Sequence, residues 1–255
     1  MSKIIFLDSV VAKEQSRINY TEEFTKLITN FLNSINKKFI IYLINYLFNN
    51  KLSITNELNF ELNNNLTNST DIDLHQNNLS ITFSVKNEPN IKYSLQIQKD
   101  LLEPFTITLL RYLNIEPKNL TKDIVVNIPD ARIVKFNTIK LTTDSYNYVI
   151  QMFNHTFTYK LPIFKFYKKD YEYIEENNLF ILIPFIVFSL QEDMLKLRKT
   201  NIEKSNVKEK MLKLTLDNTK YISELYSRKV ISFKDYSIFS NFINKLSTYL
   251  QNRFI

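Results

Sequence analysis

The spacing of apolar residues changes along the chain, and the changes mark its elements. In TEEFTKLITNFLNSINKKFIIYLINYLFNN (21–50) apolar residues return every third or fourth position. That period predicts one or two helices, with Thr21 as N-cap and Glu23 in the first turn. From position 79 the period becomes two. In LSITFSV (79–85) Leu79, Ile81, Phe83 and Val85 alternate with Ser80, Thr82 and Ser84. In KYSLQIQKD (92–100) Tyr93, Leu95 and Ile97 alternate with Ser94, Gln96 and Gln98. With the turn KNEPN (86–90) between them, the two runs predict a β-hairpin with one apolar face and one polar, uncharged face.

The segment FTITLLRYL (105–113) is apolar enough to pack on that sheet and is expected as a helix despite its two threonines. DIVVNIPDARIVKFN (123–137) predicts a buried strand pair, or a strand and turn, around Pro129, and YNYVIQMFNHTFTYKLPIFKFY (146–167) alternates as strands do. DYEYIEENNLFILIPFIVFSL (170–190) starts as a helix and becomes a buried apolar run. Its part LFILIPFIVFSL (179–190) contains Pro184 and falls short of the about 20 residues a helix needs to cross a bilayer. ELNNNLTNSTD (61–71) is a polar loop or strand edge. From 191 onward helix formers and charges dominate, the pattern returns over 234–251, and a hinge is expected near Thr200 to Ser205. The expectation is a mixed α/β protein: a core over 1–195 with a central mixed sheet flanked by helices, then a C-terminal helical region over 196–255.

Composition narrows the chemistry. The 255 residues include no glycine, where average usage of about 7% would supply roughly 18. P-loops, dinucleotide fingerprints and nucleophile elbows need glycine for close backbone approach or positive φ, so they are excluded, and turns must rely on Asn, Asp, Ser and Pro. The absence of cysteine removes disulfides and thiolate chemistry and is compatible with a reducing, cytoplasmic setting. The only histidines, His75 and His155, do not make a His-rich metal site. A net charge of +7 favours a polyanionic partner, against the alternative of a solvated lysine-rich surface. The N-terminal MSKIIFLDSVVAKEQ has a short apolar run broken by Asp8, unlike a signal peptide, and no membrane partner is expected. The carboxylate pairs Glu175–Glu176 and Glu192–Asp193 sit in charged helical stretches and read as solvated faces.

Three blocks in order carry a resemblance. TFTYKLPIFKFYKKDYEYIEENNLFILIPFIVFSL (156–190) resembles a block in which a Y-x-V-P-V strand precedes an acidic helix, then N-L-Y-x-L-L-P and an apolar run. IPDARIVKF (128–136) resembles the Pro-bearing strand before it, and ISELYSRKVISFKDYSIFSNFINKLSTYLQNRF (222–254) resembles closing helices with an Asp-Tyr start at Asp235 and Tyr236. From about residue 24 to 254 the chain thus resembles the PD-(D/E)XK nuclease family of transposases and recombination-promoting nucleases. The resemblance implies a restriction-endonuclease-like core and Mg²⁺-dependent cleavage of DNA, with carboxylates holding the ion that activates water.

Carried over residue by residue, the resemblance puts Asn65 of LNNNL (62–66) where the family has an upstream Glu, and Ser80 where it has an Asp. Gln96 stands at the Glu of the E-x-Q triplet, and Gln98 matches its last residue. A downstream family Arg falls at Thr108, beside a matching Tyr112 and close to Arg111. All three expected carboxylates are therefore neutral, and neutral oxygens hold Mg²⁺ poorly. Asp73 and Asp100 are weak substitutes. The leading expectation is a degenerate, inactive nuclease- or transposase-like protein that keeps DNA binding and needs no cofactor. Two alternatives stay open: an active Mg²⁺-dependent endonuclease with relocated ligands, and a module for protein interaction or homo-oligomer formation without nucleic acid. Against all three stands the plain reading that Ser80 and Gln96 are the solvent face of a sheet.

Overall fold

A computed structural model describes residues 20–53, 58–61, 78–85, 88–113, 129–139, 143–152, 155–197 and 204–255. They divide into two compact units, residues 36–192 and residues 20–35 together with 193–255. The helix near the N-terminus thus groups with the C-terminal helices, a different partition from 1–195 and 196–255.

In the larger unit, α2 (Lys38–Phe48) is followed by β1 (Leu58–Glu61), β2 (Asn78–Val85), β3 (Glu88–Gln98), β4 (Thr106–Leu113), β5 (Asp130–Lys135), β6 (Ser145–Met152) and β7 (His155–Lys165). Among the described residues these seven strands form one sheet in the order β1-β2-β3-β4-β5-β7-β6. Neighbours run antiparallel except β5 and β7, which are parallel, so the sheet is mixed. The expected helix over 105–113 is instead the central strand β4. Its Ile107, Thr108, Leu109 and Leu110 are all buried, so both faces are covered and the alternation that would announce a strand is lost. The expected turn over 86–90 is also shorter, because β3 already begins at Glu88.

One sheet face carries the main core. Ile81, Phe83, Tyr93, Leu95, Ile97, Ile107, Leu109 and Val134 are buried. Aromatic rings lock the covering elements: Phe48 of α2 lies 6.1 Å from Tyr93, and Phe105 stacks on Phe188 at 3.7 Å and on Phe185 at 5.7 Å. The two latter rings belong to a 3₁₀ segment, Phe180–Leu190, buried along most of its length. Pro184 has no N–H to give, which suits this tighter and less regular winding better than an α-helix. Between β7 and this segment, α3 (Tyr171–Glu176) is capped by Asp170, whose carboxylate accepts from the Tyr173 N–H at 2.9 Å.

In the other unit, α1 (described over 20–34), the end of α4 (Gln191–Lys196), α5 (Lys204–Ser227) and α6 (Phe233–Phe254) are helical. Residue 20 is already inside α1, so Thr21 is not its N-cap. Phe24 stacks on Tyr249 and Phe31 on Phe242, at 5.6 and 4.0 Å, joining α1 to α6. Ser232 and Asp235 close α6 with a capping box.

The lack of glycine shows at helix ends. The described residues with positive φ are Asn49, Asn178 and Lys229, which follow α2, α3 and α5. After each, the next N–H bonds five residues back: Asn50 to Asn45, Leu179 to Ile174, Val230 to Leu225. This is the Schellman ending, in which asparagine twice replaces the usual glycine.

Candidate functional site

The polar residues of the β2–β3 hairpin form a row across three strands. Ser80 pairs with Gln96, and Gln96 pairs with Thr108 of β4. Cross-strand partners share a face, so the three side chains emerge together, with Ser94 and Gln98 two residues either side of Gln96 along β3. The Ser80 and Ser94 hydroxyls are bonded at 2.9 Å. Three sequence-derived positions, Ser80, Gln96 and Gln98, are thus brought onto one face, joined by Thr108. Asn65 and Asp73 lie outside the described residues.

This face is not the solvent face. Gln96 is 3% exposed, Thr108 2% and Gln98 9%, and Thr82 and Ser94 are equally buried. Among the described residues, none donates to the side-chain oxygens Oε1 of Gln96 and Gln98. Leaving a buried acceptor unpaired costs about 1–3 kcal/mol, so these two positions are ones where a polar side chain does not add to stability through its oxygen. The plain solvent-face reading is therefore corrected at Gln96, while Ser80 is half-buried.

The donor set does not fit Mg²⁺. A hard divalent cation needs anionic oxygens, and Ser80, Gln96, Gln98 and Thr108 offer only hydroxyls and amides. Among the described residues, no three His, Asp or Glu side chains gather to hold a metal. Asp100 stands just past the end of β3 and serves its own turn: it accepts from the Leu102 N–H at 3.0 Å, and its carbonyl takes the Glu103 N–H.

Next to the neutral row lies a cationic one that the sequence did not single out. Thr106 pairs with Lys135 of β5, and Lys135 with Lys165 of β7. The alternation of β4 and β5 puts both lysines on the face of Thr108 and Gln96. Lys135 is 1% exposed and donates to the Ile139 carbonyl. Burial, and then the neighbouring charge of Lys165, lower its pKa from 10.5 to about 8. Lys165 is raised instead, because the Asp144 carboxylate binds it. Further along this face Leu110, Ala131, Ile133 and Leu161 form an apolar cluster.

Arg111, the arginine nearest the family position, points to the opposite face. Its guanidinium donates to Asp130 at 2.9 Å and to the Asn50 side-chain oxygen at 3.1 Å. Arg132 donates to the same carboxylate and to the Leu47 carbonyl, and both guanidiniums lie over the Phe48 ring. Tyr159 adds a third donor to Asp130 at 3.2 Å. With each cation partnered, this cluster ties the end of α2 to the sheet.

Another residue outside the sequence reading is Gln191. It is 1% exposed, and its carboxamide makes four hydrogen bonds: from the Phe105 N–H (2.8 Å) and Asn137 (2.6 Å), and to the carbonyls of Leu101 (2.9 Å) and Glu103 (2.7 Å). It holds the loop that leads into β4. No family model, no curated protein and no solved structure matches the chain, so the significance of the buried polar row rests on its own geometry.

Proposed function

We propose that this chain is a nuclease-like protein with a restriction-endonuclease-like core whose catalytic centre has been neutralised, and that it binds DNA without cutting it. The observation that carries this reading is the set Ser80, Gln96 and Gln98: side chains at the positions the resemblance singles out share one face, both glutamines are buried, and among the described residues neither amide oxygen has a partner. A row kept only for packing would be served as well by apolar side chains. Without anions it cannot concentrate Mg²⁺ or generate hydroxide.

DNA binding is supported by charge. Beyond the net +7, the first half of α5 exposes Lys204, Lys208 and Lys213 against Glu209, with Lys210 paired to Asp193. Lysines of this kind bind phosphate by counterion release, with no base preference.

Fluorescence anisotropy with a labelled duplex over a range of salt tests the binding. Affinity that falls linearly on a log–log salt plot is expected; no binding at low salt, or binding indifferent to salt, overturns it. Plasmid incubated with the protein and Mg²⁺ or Mn²⁺ is expected to stay supercoiled. Nicking that disappears in Asp100→Ala would instead establish an active enzyme with a relocated ligand.

A further inference from the structure

The two edges of the sheet are built differently. β1, at one end, is four residues long and ends in Glu61. β6, at the other, runs for eight residues, SYNYVIQM, with no charge and no proline. Sheet edges are normally blunted by shortness, lysine, proline or a bulge, since an open edge offers unpaired donors and acceptors to any other strand. β6 has none of these, and among the described residues it pairs only with β7.

The direction of its open groups follows from the ladder. Ile163 N–H bonds to the Asp144 carbonyl, and antiparallel pairs alternate between bonded and non-bonded. The backbone groups of Ser145, Asn147, Val149 and Gln151 therefore point away from β7. Both faces of the strand reach solvent: Tyr146 is 39% and Val149 53% exposed. The hairpin also projects beyond β5, which pairs with β7 only at 163–165. Pro162, with no N–H for β5, marks where that parallel ladder begins.

We propose that β6 is a homodimer edge, along which two copies of this chain pair antiparallel and join their sheets. Self-complementarity selects the occupant. The outward groups of β6 lie symmetrically about position 148, so a second copy of the same strand matches them, and the uncharged strand adds no close like-charge contact to the repulsion of two chains at +7 each. An acidic or nucleic-acid partner would be met by cations, which β6 lacks. Pairing centred on position 148 sets Asn147 of one copy against Val149 of the other and Ser145 against Gln151. Each outward donor then meets an acceptor across a two-fold axis. This inference does not depend on the nuclease-like reading.

Sedimentation velocity of the full chain over a concentration series tests it, with a species of twice 30.5 kDa expected at high concentration. Val149→Lys puts a cation on the edge of each copy and should weaken the dimer about tenfold or more. Asn147→Pro, which removes an outward N–H and no bond to β7, should do the same. Circular dichroism identifies any variant that has not folded, and either variant suffices. Leu216→Lys, at a 69% exposed position of α5, should leave the dimer intact. A wild-type chain that stays monomeric throughout overturns the proposal. So does a dimer that survives both β6 substitutions, or one that Leu216→Lys dissolves.

Discussion

Gln96 and Gln191 are the same residue, buried to nearly the same degree, in two regions that treat it oppositely. At the mouth of β4, Gln191 saturates its carboxamide with four partners and sets the course of the loop at 101–105. On the β2–β3–β4 row, no described residue donates to the Gln96 oxygen. Gln191 explains itself as architecture. Gln96 does not, and this difference is what sets its row apart.

The sharpest way to break the comparison is to make the same change at both sites. Gln191→Met should cost about 3–5 kcal/mol in urea unfolding, because backbone groups of Leu101, Glu103 and Phe105 lose their partner in the interior. Gln96→Glu comes next, at about 3 kcal/mol, since the new carboxylate would be buried among neutral side chains and must shed its water. Mg²⁺ should not recover that loss or produce plasmid cleavage; either result would mean that one restored anion is enough to rebuild a metal site.

Lys135 extends the test to the cationic row. Its folded pKa of about 8 lies below the ordinary 10.5, so between those values the unfolded chain holds more protons than the folded one. Stability should therefore rise with pH above 8, and the full penalty should stand below it. Unfolding midpoints measured from pH 8 to 10 should climb in the wild-type chain and stay flatter in Lys135→Met. Equal slopes would show that Lys135 is not desolvated as its burial implies.

Smaller again, Gln96→Met should be neutral or stabilise by up to about 1 kcal/mol, the reverse of its effect at 191, because it removes an acceptor that has no donor. A loss as large as that at 191 would erase the distinction between the two glutamines. The smallest effect is expected at the sheet's edge. Val149→Lys should change the stability of the dilute chain by no more than about 0.5 kcal/mol, although a lysine at position 96 would be severe.

Much of this was legible in the chain. The helices over 21–50, the β2–β3 hairpin, the β6–β7 strands and the buried run ending at Leu190 follow from period and apolar content, since each has one exposed side, or none, over a recognisable length. β4 was not legible. A strand covered on both faces loses its alternation, and ITLL then reads as well for a helix. The row at Ser80 and Gln96 could be picked out by pattern, but its burial could not, because alternation says which residues share a face and nothing of what lies over it. Gln191 and Lys135 gave a faint signal, a polar residue closing an apolar run, and only their partners make it meaningful.

The amino-acid sequence by itself determined local geometry: where the period is two or near three and a half, which turns must use asparagine for want of glycine, and that no carboxylate stands at Ser80, Gln96 or Gln98. Tertiary structure decided what those positions mean. Burial depends on which strands lie beside and above a residue, and hydrogen bonding depends on what the fold brings within 3 Å of it. These are properties of the assembled sheet, and they separate a satisfied glutamine from an orphaned one and an open edge from a closed one.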